Sequence, residues 1–436
     1  MAATNHNHAN YQARLDFIQN QLQEQFSLKE DAAITPIQYD PECVFKYNNF
    51  VYCISLPVPI TVNQAAKYRY QQPGCVPIPE GTKELIFRLA NPNAEGMNRT
   101  TRVENEVATI ALASAALASF VPRVVPSVYA WGSAAVESSQ GWIIQELMPG
   151  APVDESFDAM DLEQKRQIFA QMAKLLKSLQ DYKLPKSITS FGGVTFDDTG
   201  RTISTAMTSV GAGPWPSYEA SFEGRLEVAL RKADANPYIK GWYANGVRER
   251  LDAFIKRGVP AQFEALGSSK TGLLYMQTLV SSTNNLLFDA TSGRITALID
   301  YDFACVSHPS YEFLRSFDGA GGQFRGWSSD EATEDMALRE AKLHGFPSPL
   351  PPTTKDGVKW NVMKAWEDEL EKLDVERPRN IPGIDKVADV DTVLRTILPW
   401  RVSNSDILRL QSEEVIIKCR NENEEQLVGL LSRLGF

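Results

Sequence analysis

Between Tyr11 and Phe26 the apolar positions Leu15, Phe17, Ile18, Leu22 and Phe26 recur at helical intervals, which predicts an amphipathic helix packed on the body. Two β-type runs follow, Cys43–Leu56 and Lys83–Leu89, rich in branched and aromatic side chains and bounded by proline, asparagine or glycine. Between them Pro57–Thr82 is proline-rich and aperiodic, and reads as a surface insertion. The alanine- and leucine-rich stretch from Thr101 to Leu117 predicts a helix with Glu106 near its start, and strands are expected around Val128–Trp131 and Gly141–Glu146. After that the pattern turns helical. Asp161-Leu-Glu-Gln164 has the form of a capping box ahead of an apolar stripe, Ile168, Phe169, Met172, Leu175, Leu176 and Leu179, in a helix that ends by Pro185. A hairpin is expected over Val194–Ile203, then helices over Tyr218–Ala233 and Val247–Lys256, around Ala365–Leu373 and from about Ser412 to Leu434.

This order predicts an α+β, bilobal architecture: an N-terminal helical extension (1–40), a small β-rich lobe (41–148), a mainly helical lobe (149–330) and a C-terminal helical extension (331–436). At 436 residues the chain is too long for one ordinary core. Hydrophobic residues at 43% and charged residues at 22% are those of a globular protein. A net charge of -10 argues against a nucleic-acid partner, because phosphate backbones are held by clustered lysine and arginine. Five widely spaced cysteines without a CxxC pair suggest reduced thiols, and with a polar N-terminus and no long apolar run they point to a soluble cytoplasmic protein with no membrane partner. His6 and His8 lack a third ligand and are expected to be incidental to any metal.

The chemically informative region is the segment Leu286–Ala304. It reads as two apolar strands joined by a polar, glycine-containing turn and ending in Asp300 and Asp302. If the chain stays extended there, the two carboxylates share one side. Such a pair is costly to bury without a cation or proton, which makes it the leading site candidate beside the alternative of solvated acids at a strand end.

In sequence, Tyr47–Tyr52, Phe87–Pro92, Arg102–Val107, Gly141–Glu146, Thr296–Ala304 and His308–Glu312 together resemble the aminoglycoside phosphotransferase and choline-kinase-like family, especially its fungal branch. The resemblance spans roughly residues 44–317 and implies a protein-kinase-like fold with ATP between the lobes and a small-molecule acceptor. By position it makes Tyr47, Asn48 and Asn49 the turn above the phosphates, although that turn lacks glycine; Glu146 and Met148 belong to the hinge beside the adenine. It makes Arg88 the phosphate-binding cation and Glu106 its helical partner, a pair that could equally be a structural bridge. It makes Asn285 and Asp300 the magnesium ligands, and His308 and Glu312 structural supports.

One part of the pattern is missing. Relatives read His-Gly-Asp-Leu shortly before the asparagine, but from Ala265 to Phe288 this chain has no carboxylate and no histidine; the aligned positions are Thr278 and Val280, or Met276 and Thr278 with a two-residue slip. A general base contributes about 10²–10⁴-fold. The expectation is therefore a phosphotransferase fold turned to non-phosphoryl chemistry on a small-molecule metabolite, such as cyclisation, isomerisation or elimination, in fungal-type secondary metabolism. Asp300, Asp302, Arg88 and Glu106 would be its acid, base and electrostatic groups. A pseudokinase binding a nucleotide or partner, and an atypical kinase using ATP and magnesium, are the alternatives. The sequence leaves the small molecule and the oligomeric state open.

Overall fold

Alternation along Asn49–Ser55 buries Phe50, Tyr52 and Ile54 on one face of a strand, and the helix Tyr11–Phe26 (α1) covers that face with Ile18, Leu22 and Phe26. The structure is a computed structural model that describes residues 6–28, 30–37, 39–40, 42–61, 72–136, 140–267, 284–315, 323–324, 333–353 and 357–436, and the backbone alone at 275–277 and 283. Strands Ala33–Pro36 (β1), Asn49–Ser55 (β2), Glu84–Ala90 (β3), Val128–Gly132 (β4) and Trp142–Glu146 (β5) form an antiparallel sheet in the order β1-β2-β3-β5-β4. β1 was not foreseen: its four residues, Ala33-Ile-Thr-Pro36, are too short to show a period.

β3 is buried on both faces, unlike β2. Leu85, Phe87 and Leu89 join the α1 core, while Ile86, Arg88 and Ala90 turn toward the other side, where the helix Arg102–Ala116 (α2) packs. A cation in the middle of a central strand thus faces Glu106 one turn inside α2.

The helical lobe shares one large core that reaches from α2 to the last helix. Asp161 caps Leu162–Asp181 as expected, accepting from the Gln164 amide at 2.8 Å while Gln164 accepts from the Asp161 amide at 3.0 Å. That helix packs against Trp360–Lys372, with Phe169 and Trp366 rings 5.4 Å apart. The expected helix Val247–Lys256 ends earlier, at Ala253, and passes through a wider π turn at Phe254–Gly258 into Val259–Phe263. Helices Glu334–His344 and Ile384–Ile397 were missed in the sequence. The second is almost wholly buried, but Asp389 and Asp391 interrupt its apolar pattern; both are neutralised inside the core, by Arg339 at 3.2 Å and by Arg315 at 2.6 Å. No helix among the described residues is long and apolar enough to cross a membrane.

Candidate functional site

The hairpin Leu286–Asp289 and Arg294–Leu298 forms as its pattern predicts, with Gly293 at φ 69 closing the turn through its amide to the Asp289 carbonyl. Ile299 then bonds back to the Asn285 carbonyl over 2.8 Å, so Asn285 and Asp300 leave the hairpin base together. Extended geometry does not persist beyond this point. Asp300 is left-handed, at φ 62, and Asp302 lies in a turn. The two carboxylates still converge, because both reach the same arginine rather than because they alternate along a strand.

That arginine is Arg88. Its Nη2 lies 3.1 Å from Glu106 Oε1, 3.0 Å from Asp300 Oδ1 and 3.7 Å from Asp302 Oδ1. Arg102, whose significance was missed in the sequence, adds a second guanidinium 3.7 Å from Asp302 Oδ1 and donates to the Asn48 carbonyl and the Asn49 side-chain oxygen. Asn49 in turn donates to Asp302 Oδ2 over 2.7 Å. Asp302 Oδ1 is buried and lies 3.7 Å from both guanidiniums, too far for a hydrogen bond, and the Glu106 carboxyl is hydrogen-bonded to Asp302 when it holds its proton. Five charged groups, two positive and three negative, therefore meet at one place.

Burial decides how they ionise. It pushes the Glu106 carboxyl up to about 8, with Arg88 opposing and the Asp302 and Asp300 charges reinforcing the rise. Burial, followed by repulsion from Asp302, also raises Asp300, against the pull of Arg88. Burial works against the charge on Arg88, yet Glu106, Asp300 and Asp302 more than offset it and hold the guanidinium protonated. A proton retained on Glu106 leaves two cations facing two carboxylates, which balances the cluster.

The cluster opens onto a cavity of about 570 Å³ between the lobes, within the usual range for small-ligand sites. Tyr47, Asn48, Asn49, Arg88, Glu146, Met148, Asn285, Asp300 and Asp302 all line it, together with Ile86, Leu147 and Ile299. Glu106 does not; it sits behind Arg88. Asp300 keeps 47% of its side chain exposed because it faces this space. Glu146 directs its carboxylate to the Ser127 amide at 3.0 Å and to Arg123 at 2.6 Å, so it braces the end of β5. Arg14 from α1 was also missed; it reaches the cavity with its guanidinium 3.9 Å from the Phe50 ring centre and donates to the Tyr52 hydroxyl. His308 is buried, stacks on Tyr218 at 5.0 Å and is pushed down to about 4 by burial, as a structural histidine should be. Thr278 and Val280, and the side chain of Met276, lie outside the described residues.

The model of the phosphotransferase enzyme family matches residues 78–273. Over this stretch the chain is similar to that family. The match ends ahead of Asn285 and Asp300. Solved structures with the same fold include the streptomycin-ATP-APH(2")-IIa ternary complex, 11% identical at a TM-score of 0.51, and the gentamicin-APH(2")-IIa complex, 10% identical at 0.50; each comparison covers 94% of this chain and 95% of the other. An ethanolamine kinase of Plasmodium vivax is similar at 12% identity and a TM-score of 0.43, over 91% of this chain and 81% of that one. No curated protein matches the chain. The fold is thus the protein-kinase-like one of the aminoglycoside phosphotransferases, with a β-sheet lobe before a helical lobe.

The phosphotransferase fold raises the question of ATP and magnesium. Their donor types are present in Asn285 and Asp300, but Asp300 is engaged by Arg88 and Asp302 by Asn49. Among the described residues no group of three or more histidine, cysteine, aspartate or glutamate side chains could hold a metal ion. The described cavity lining carries five carboxylates, Glu146, Asp154, Glu155, Asp300 and Asp302, against the guanidiniums of Arg14 and Arg88. The turn Tyr47–Tyr52 lacks the glycines that let a backbone close on phosphates, while Asn285 and Asp300 are oxygen donors of the kind that would hold magnesium.

Proposed function

We propose that this chain is an enzyme of the phosphotransferase fold that moves protons on an organic metabolite in its interlobe cavity. The reaction would be a cyclisation, isomerisation or elimination of the kind found in secondary-metabolite biosynthesis. The observation that carries this reading is Asp300: a carboxyl with an upward-shifted pKa, half exposed to the cavity and 3.0 Å from a permanently charged guanidinium. Such a group takes a proton from the substrate as a carboxylate and returns it as an acid, while Arg88 stabilises the anion that forms between the two steps. Asp302 supports the raised pKa from behind, and Glu106 keeps Arg88 in place. The absence of any acid or histidine from Ala265 to Phe288 adds to the case, because phosphoryl transfer in this fold uses a base from that stretch.

The competing reading, a nucleotide-binding pseudokinase or an atypical kinase, is favoured by one observation. Asn285, Asp300 and the hinge residue Met148 line a single cavity. One experiment separates the two: the purified chain is incubated with a fractionated metabolite extract, with and without magnesium-ATP, and products are followed by mass. The proposal expects products of unchanged mass, or mass reduced by an eliminated neutral group, formed without ATP. ATP-dependent addition of a phosphoryl group that Asp300→Asn abolishes would replace it with a kinase.

A further inference from the structure

The turn that roofs the acid cluster is gripped by the far end of the chain. Asp406, 360 residues downstream, accepts the Lys46 backbone amide at 2.9 Å and the Lys46 ammonium at 3.0 Å, and its side chain is only 5% exposed. The same ammonium donates to Ser405 Oγ at 2.8 Å and to Glu95 at 3.2 Å. Arg409 donates to the Val44 carbonyl at 2.9 Å, and the Phe45 and Trp400 rings lie 5.6 Å apart. Segment 400–410 belongs to the helical lobe, where Val402 is fully buried and its carbonyl accepts from Asn236. The contact therefore crosses from one lobe to the other.

Its position gives it leverage. Two residues separate Lys46 from Asn49, whose side-chain amide donates directly to Asp302. The residues between them are tied as well: Tyr47 gives its carbonyl to Asn91 and Asn48 gives its carbonyl to Arg102. A shift of Lys46 has little slack to absorb it before Asn49 moves.

We propose that residues 400–410 form a latch between the lobes, in which Asp406 holds Lys46 and thereby positions Asn49 on Asp302, and that release of this latch loosens the acid end of the cavity. Lys46 and Asp406 are positioning residues here. The latch is a device of the same cavity to which the proton-transfer reading assigns the chemistry, but its test uses no substrate.

Hydrogen exchange of the full-length chain, without ligand, compares wild type with Lys46→Met, Asp406→Asn and Lys46→Arg. Lys46→Met keeps the backbone bond, and Asp406→Asn keeps an acceptor for it, so the fold is retained. Both are expected to speed exchange by roughly ten-fold or more in residues 44–53 and also in 299–304, with Leu162–Asp181 and Ile384–Ile397 unchanged. Lys46→Arg is expected to restore most of the protection. Acceleration confined to residues 44–46 overturns the proposal, because the contact would then not reach Asn49. So does an unchanged pattern, or one accelerated equally throughout the chain.

Discussion

The Asn49 side-chain amide donates to Asp302 Oδ2 over 2.7 Å, where the aspartate is only 2% exposed. Asn49→Ala would take the donor from Oδ2 of a nearly buried carboxylate. We expect this substitution to lower stability by about 1–3 kcal/mol in denaturant titration. A change within a few tenths of a kcal/mol would mean that water replaces the amide freely.

Arg88 faces three carboxylates, so its removal should be the most damaging single change at the site. Breaking a buried pair by deleting one partner typically costs about 3–5 kcal/mol. Arg88→Met is expected in that range, with Arg88→Lys milder because a cation remains. Adding Glu106→Gln to Arg88→Met should change stability little further below about pH 8, since Glu106 is neutral there already; a double-mutant cycle by chemical denaturation measures the coupling.

The periodic parts of this molecule were legible in its sequence, and the site was legible only in outline. α1 matches the helix expected from Leu15, Ile18, Leu22 and Phe26, and the Asp161 cap forms with both of its bonds. The helix Ile384–Ile397 escaped notice because its buried aspartates look like surface charges until the distant arginines that neutralise them are in place. Arg102 and Asn49 were missed as parts of the acid network for the same reason: each acts through partners brought close only by folding, and no local spacing marks them. The convergence of Asp300 and Asp302 was foreseen on strand alternation, but a left-handed residue and a shared arginine bring it about instead.

Glu106 should leave a signature in the pH dependence of stability. Its folded-state carboxyl is raised from 4.5 to about 8, so the folded chain holds a proton that the unfolded chain releases. The sign follows: its contribution is fully present below about 4.5 and is lost as pH rises through about 8. His308 works in the opposite sense, because burial lowers it from 6.5 to about 4 and makes acid destabilising over that window. The difference between wild type and Glu106→Gln isolates the first effect. Thermal unfolding from pH 5 to 9 should show the variant gaining on wild type as pH rises; a constant offset would mean that Glu106 is ionised throughout.

Asp300→Asn separates a working group from a supporting one. The carboxylate is disfavoured by burial and by Asp302, and a left-handed backbone at φ 62 suits asparagine at least as well as aspartate. Arg88 keeps Glu106 and Asp302 after the change. Stability should therefore change little, because the side chain is 47% exposed and solvent screens its charge. Turnover of the metabolite found by the mass screen should fall by about 10²–10⁴-fold, because an amide neither accepts nor returns a proton at neutral pH. Unfolding and turnover are measured on the same preparation. Loss of both together would make Asp300 a structural partner of Arg88, and retention of turnover would move the chemistry to another group in the cavity.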